Sequence, residues 1–263
     1  MNFAPSFRYF IRHNVDDVAR FGLGFLRRHL ARFTAGPLIS LNIPGFGPLS
    51  IRKRGADLDL TRSVLGDGCY DVAWPTPALK RLEDRYHSIL ASGRRPVIVN
   101  AGGYIGLSAL WFARRWPAAV VVSVEPDAGN LSVLRLNVGN RPGHVIVPAA
   151  LGSAPGMVSL TDDDGCAVQT QRANRGVEII TVDDAVAAVP DGEPFVCNID
   201  VEGFEKDLFA ANTRWIDRFQ LIIVEPHDWR SPGDGISANL QREMASRRFD
   251  MFIKDSAIHY LRV

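Results

Sequence analysis

From Pro96 onward the chain repeats one pattern: a short β-branched apolar run, a turn, then a helical segment. Val97-Ile-Val leads through a glycine turn into a helical stretch at 107–116. The run 119–124 precedes a helix at 130–138, and 145–149 supplies another strand. Runs this short and apolar suit strands buried on both faces, and strand–helix repetition makes a parallel sheet covered by helices. Two more buried strands fall at 195–199 and 221–224, separated by a helix at about 204–212. A helix at 237–247 leads to 251–253 and 258–261, joined through Lys254-Asp-Ser-Ala, which form an antiparallel hairpin. The pattern predicts an α/β fold whose mostly parallel sheet ends in a reversed C-terminal strand pair.

Upstream, residues 7–33 are basic and rich in aromatics. Phe7, Phe10, Ile11, Val15, Val18, Phe21, Phe25 and Leu26 recur at helical spacing, with Arg20, Arg27, Arg28 and Arg32 among them. Such a helix either lies on a membrane or partner, or caps the main domain with its arginines solvated. The cap is the favoured reading, and Gly22 and Gly24 weaken both. The stretch 37–48 is Pro/Gly-rich and marks a boundary. The expected organisation is therefore an N-terminal helical extension and linker at 1–48 and one domain at 49–263. Within that domain 49–52 is a short strand and 76–90 a helix. The section 152–182 is turn-rich, with antiparallel excursions at 157–160 and 177–181.

Composition narrows the partners. A net charge of +1 supplies no global field for nucleic acid, so none is expected as a partner. The three cysteines, Cys69, Cys166 and Cys197, match no zinc or redox spacing, which suits a reducing compartment. No apolar run nears the roughly 20 residues of a membrane span, and the N-terminus lacks a secretory pattern. The expected location is cytoplasmic. An oligomer, with the 7–33 segment between subunits, is left open.

The sharpest motif is VIVNAGGYIGLSALWFA, residues 97–113. A buried strand ends at Asn100, a tight turn follows, and a helix begins near Ile105. Gly102 and Gly106 allow a ligand to approach the backbone where a Cβ would obstruct it. At the end of the next strand, in VVVSVEP, Glu125 is placed to accept hydrogen bonds from both hydroxyls of a ribose. Nicotinamide enzymes use the same device, so an NAD(P)-dependent oxidoreductase is the alternative reading. AGGYIG is one residue short of GxGxxG, and Ala101 stands where a pyrophosphate site needs its first glycine. Together with the reversed terminal pair, this favours S-adenosylmethionine over a dinucleotide.

The segment NAGGYIGLSALWFARR resembles the FkbM-family pattern DxGANxGxxSxxFA. SVEPDAGNLSVLRLNV, AALGSAPGMVSL, TVDDAV, NIDVEGFEKDLF and IIVEPHDW follow in the family's order. IRKRGADLDLTRSVLGDGCYD is similar to the family's upstream strand and Thr-Ser-Asp motif, with Asp57 at the acidic position. The resemblance covers most of 49–263. It implies a Rossmann-like class I methyltransferase sheet and S-adenosyl-L-methionine as co-substrate. It implies methyl transfer to the hydroxyl of a small-molecule or sugar/glycan acceptor. It also implies that Gly102 and Gly106 shape the methionine turn, that Glu125 holds the ribose, and that Asn130 and Ala150 lie near the adenine. Two departures from the pattern matter. Asn100 replaces an acid expected to meet the cofactor's ammonium, and Tyr104 replaces the loop asparagine, where it stacks on or covers the cofactor or changes the loop. These departures admit an inactive, methyltransferase-fold binding protein as a further alternative.

Asp200 and Glu202 follow one core strand in IDVEG, and His227 and Asp228 follow the next in IIVEPHDW. Both loops belong on the carboxyl edge of the sheet, where open α/β sheets bind ligands. Methyl transfer to an aliphatic hydroxyl needs a base. His227 is the first candidate, because an unperturbed imidazole titrates near about pH 6.5. Asp200 is expected to orient it, take the proton or contact the cofactor amine, with Glu202 next. These residues also suit a divalent metal, but a D-x-E pair alone does not establish one, and no metal is assigned. The bland alternatives are a helix cap for either acid and a structural hydrogen bond for His227. Trp229 is a sugar-facing platform or ordinary packing, and Asp183 and Asp184 form a helix N-terminus.

Overall fold

A computed structural model describes residues 7–33, 35–163 and 167–263. Cys166 and the side chains of Phe7, Phe10, Ile11 and Arg32 lie outside the described residues. Helix α1 (Phe7–Phe21) stops where Gly22 turns the chain at φ 76°, and a 3₁₀ segment, Leu23–Phe33, runs on from it. Strands β1 (Leu38–Ile43) and β2 (Gly47–Arg52) then pair antiparallel, Leu38 opposite Arg52 and Ile43 opposite Gly47. The stretch expected as linker is therefore half strand. Its glycines make the hairpin turn, with Gly45 and Gly47 at positive φ, while Leu41 and Ile43 alternate into the core.

Helix α2 (Asp57–Thr61) continues through one π-helical turn, and α3 (Thr76–Ala91) follows. The repeating unit then appears as expected: β3 (Arg95–Ala101), α4 (Leu107–Arg115), β4 (Val120–Val124), α5 (Ala128–Val138) and β5 (His144–Val147). Strands β6 (Ala150–Leu151), β7 (Gly156–Asp163), β8 (Ala167–Ala173) and β9 (Val177–Ile180) form a second sheet in the order β6-β9-β7-β8. Strand β8 is absent from the sequence reading, since AVQTQRA carries no apolar alternation. Next come α6 (Val182–Ala187), β10 (Gly192–Ile199), α7 (Glu205–Leu208), β11 (Leu221–Val224), α8 (Ala238–Ala245), β12 (Phe249–Lys254) and β13 (Ala257–Arg262). The expected helix at 204–212 is cut to four residues, because Asn212 turns left-handed at φ 55° and a 3₁₀ segment takes over. Asp184 and Thr181 close a reciprocal capping box on α6, the helix N-terminus expected of that acid.

The main sheet runs β12-β13-β11-β10-β3-β4-β5. Its core pairs are parallel, and β13 alone runs opposite, antiparallel to both β11 and β12. This is the mostly parallel α/β sheet with a reversed C-terminal strand that the sequence predicts. Successive residues enter opposite cores: Val97, Val99 and Ala101 pack on one face, and Ile98 packs on the other with Phe112, Phe195 and Ile223. Phe21 and Phe25 of the N-terminal segment join that second cluster, so the segment caps the domain. One expectation fails here. Arg28 is buried beside Asp17, which also receives Arg62, rather than solvated. Among the described residues no helix is long and apolar enough to cross a membrane.

His259 on β13 is fully buried, both ring nitrogens lack partners, and Trp74 meets it edge-on at 5.9 Å. Burial, then Lys254, lower its pKa to about 4; His144 is lowered to about 4 by burial, then Arg141. A depressed histidine takes up its proton more readily unfolded than folded, so its stability contribution is lost as pH falls from about 6.5 towards 4. Urea unfolding at pH 7 and pH 5 should show His259→Leu losing less stability over that interval than the wild type. An equal loss in both proteins would refute this.

Candidate active site

The parallel strands β3, β4, β10 and β11 end at one edge, and the strand order reverses between β3 and β10. Ligands collect at such a switch point. The turn after β3 is built for contact: the N–H groups of Gly102 and Gly103 both donate to the Val124 carbonyl, and Asp200 N–H donates to the Ala101 carbonyl. Gly102 sits at φ 80°, and a Cβ there would lie 1.8 Å from the Asp200 carbonyl oxygen. Only glycine lets the two loops approach this closely. Gly106 serves packing instead. It precedes α4 at φ 92°, where a Cβ would press to 2.9 Å on Leu134 of α5.

Glu125, 4% exposed, joins the turn to the next loop. Its Oε2 accepts the Tyr104 N–H at 2.8 Å, and its Oε1 accepts the Asp127 N–H at 2.9 Å and Asn130 Nδ2 at 3.2 Å. The first contact holds Tyr104 at φ 45°, a conformation uncommon for a side-chain-bearing residue. From there the Tyr104 hydroxyl donates to Asp57 at 2.6 Å. Asp57, fully buried, accepts the Arg52 guanidinium, and Arg52 donates onward to Asn130 at 2.9 Å. The chain of bonds Glu125–Tyr104–Asp57–Arg52–Asn130–Glu125 closes on itself, and the Arg52 guanidinium also lies over the Tyr104 ring. Burial raises the Glu125 carboxyl above its ordinary value, and the N–H groups of Asp127 and Tyr104 hold that rise back.

A cleft of about 310 Å³ opens over this edge. Gly102, Tyr104, Glu125, Asn130, Ala150, Asp200, Glu202 and His227 all line it, along with Trp229 and Arg230. Two expected site residues stand behind it. Gly106 lies in the helix packing just described. Asn100 is fully buried in β3, accepting from Asn198 Nδ2 at 2.9 Å and facing Ser123. Its amide is engaged inside the sheet and does not form part of the cleft wall.

At the far end, His227 is 2% exposed, and its Nδ1 meets the fully buried Glu205 at 2.8 Å. Its Nε2 lies 3.4 Å from Glu202 and 3.6 Å from Asp200. Burial alone would lower the imidazole, but the three surrounding carboxylates outweigh it and raise the pKa to about 9. That shift moves His227 away from the near-neutral titration for which it was chosen as base. Burial, then Glu225, push Asp200 well above the usual carboxylate range. Neither Asp200 nor Glu202 caps α7, whose N-terminus has no side-chain cap. Trp229 is exposed beside His227, their ring centroids 6.2 Å apart. Asp228 turns away to accept the Ser237 N–H.

Sequence reasoning missed Arg52, Glu205, Glu225 and Arg230, which pairs with Glu202. Glu225 had a signal: Val-Glu-Pro at 224–226 repeats Val-Glu-Pro at 124–126, an acid at the end of each strand. Glu205 and Arg230 had none, because charged residues at a helix start or in a loop look solvated until the fold brings them inward.

The family profile for the methyltransferase FkbM domain matches residues 100–255. No curated protein matches the chain. Among solved structures, monomeric WbdD aligns at 15% identity and TM-score 0.40, over 74% of this chain and 43% of its own, so this chain spans less than half of that one. A putative caffeoyl-CoA O-methyltransferase from Staphylococcus aureus aligns at 11% identity and TM-score 0.40, over 79% of this chain and 93% of its own. A putative O-methyltransferase from Klebsiella pneumoniae aligns at 12% and 0.40, over 73% and 93%.

Two substitutions test the geometry. Asn100→Asp places a carboxylate in the sheet without a countercharge. It should cost at least about 2 kcal/mol at pH 7, the loss growing as pH rises above about 4. Unchanged urea stability would contradict the burial. Tyr104→Phe opens the hydrogen-bond ring at Asp57 and should cost about 1–2 kcal/mol, read from the same unfolding curves.

Proposed function

The chain belongs to the FkbM methyltransferase family, and we propose that it transfers a methyl group from S-adenosyl-L-methionine to a hydroxyl oxygen of a small hydroxylated acceptor. A sugar, free or within a glycan, is the acceptor class we favour. Family membership supports methyl transfer over the dinucleotide reading. We assign the chemistry to residues 49–263, with 1–48 as their N-terminal extension, in which the stretch expected as linker pairs as strand β1 with β2.

The observation that carries this reading is one continuous cleft. At one end are the Gly102–Tyr104 turn and Glu125, and at the other Asp200, Glu202 and His227. The residues fit the co-substrate. Gly102 leaves backbone where a Cβ would not fit. Glu125, with three donors already on its oxygens, keeps acceptor capacity for a ribose hydroxyl. Asn130 and Ala150 continue the wall towards the adenine. The cleft volume lies within the roughly 300–1,000 Å³ usual for ligand pockets. When bound, the co-substrate supplies an electrophilic methyl on a sulfonium.

The protein aligns the acceptor oxygen and receives its proton. As the oxygen's lone pair forms the new C–O bond, the C–S bond breaks, the sulfur keeps that pair, and the hydroxyl proton passes to a cleft carboxylate. Asp200 and Glu202, at 38% and 26% side-chain exposure, both reach the cleft and are the carboxylates to which we assign that role. His227, anchored on Glu205, stands beside Glu202 and Asp200. A catalytically inactive binding protein is the second reading, motivated by the neutral Asn100.

Calorimetric titration with S-adenosyl-L-methionine should give a dissociation constant on the order of 1–100 µM, and Glu125→Ala should weaken it at least about tenfold. NAD and NADP should give no thermal stabilisation. Labelled co-substrate with a panel of glycosides should yield methyl ethers. Co-substrate binding without turnover on any acceptor would favour the inactive reading, and stabilisation by a dinucleotide alone would overturn both.

A further inference from the structure

The polar end of the cleft holds more acidic side chains than basic ones. Asp200, Glu202 and Glu225 line it and Glu205 stands behind it, against one imidazole and Arg230, which pairs with Glu202. Asp200 Oδ1 is buried without a hydrogen-bond partner. His227 is buried to 2% exposure and lines the cleft. Its Nδ1 is taken by Glu205, and its Nε2 stands 3.4 and 3.6 Å from the two acids, with a hydrogen bond to neither. Buried acids without partners are costly unless a cation compensates them.

We propose that Asp200, Glu202 and His227 form a binding site for a hard divalent cation, Mg²⁺ or Mn²⁺. One atom from each, two carboxylate oxygens and an imidazole nitrogen, lie within 4.8 Å of one another. Two ligands each about 2.1 Å from a cation stand about 3.0 Å apart at a right angle and about 3.4 Å apart at a tetrahedral one. The Nε2 separations are too long for good hydrogen bonds but match ligands arranged around an ion. Glu205 supplies what metal-bound histidines ordinarily have, a carboxylate on the other ring nitrogen that aims the ring. Two oxygens and one nitrogen, with no thiolate, suit Mn²⁺ and Mg²⁺ rather than soft ions. The consequence for catalysis rests on the methyl-transfer reading: a hydroxyl coordinated to the cation would lose its proton more readily.

The test is Mn²⁺ titration of the full chain, stripped with chelator and desalted, followed by calorimetry and by the EPR signal of free Mn²⁺. One ion per chain should bind with a dissociation constant on the order of 10–100 µM, and Asp200→Asn and Glu202→Gln should each weaken it at least about tenfold. Asp228→Asn, whose carboxylate faces away, should leave it unchanged. Absence of saturable binding by the folded wild type, equal affinity in Asp200→Asn and Glu202→Gln, or equal weakening by Asp228→Asn would overturn the proposal. Co-substrate titration of the stripped protein is read separately. Mn²⁺ binding without co-substrate binding sinks the methyl-transfer reading alone, and the reverse result sinks the cation site alone.

Discussion

The buried Glu125 carboxylate is the interaction on which the cleft depends. It takes three donors from two loops and the first turn of a helix, and so locks the glycine turn after β3 against the loop after β4. Through Tyr104, Asp57, Arg52 and Asn130 the same carboxylate is tied to the β1–β2 hairpin and α2. In a closed ring each donor's orientation is set by its acceptor, and a low-dielectric site strengthens every member. The upstream strand is thereby part of the cleft's architecture, not a decoration beside it.

That ring explains how the chain accommodates its departures from the family pattern. Tyr104 occupies a left-handed position that its N–H bond to Glu125 and its hydroxyl bond to Asp57 both stabilise. Asn100 lies in register with Asn198 on the neighbouring strand, and a neutral amide pair suits a site from which water is excluded. The two substitutions therefore act in different places: one shapes the cleft wall, the other the interior of the sheet.

The opposite end of the cleft follows a different electrostatic logic. Glu125 is satisfied by neutral N–H donors, whereas the acids around His227 share one imidazole and Arg230. Burial, then the neighbouring acid Glu225, raises Asp200, and the surrounding carboxylates raise the imidazole against its burial. The cleft thus joins a rigid, saturated end to an unsaturated one. On the proposed function, the saturated end is the cofactor seat and the unsaturated end the acceptor seat.

Periodicity and turn chemistry are local properties, and what depends on them was legible in the chain itself. The alternation from Pro96 onward, the glycine turn and the strand-end acids place Gly102, Glu125, Asp200 and His227 on one edge before any coordinates are known. Strands β1 and β8 escaped, one because hairpin glycines resemble a linker, the other because its residues are polar throughout. Tertiary structure alone decided that Glu205 turns inward to His227, that Arg52 and Asp57 complete a ring around Glu125, and that Asn100 is sealed within the sheet. Each of these results from the register between strands and the approach of loops far apart in the chain. No residue's neighbours in sequence record which group it will meet across space.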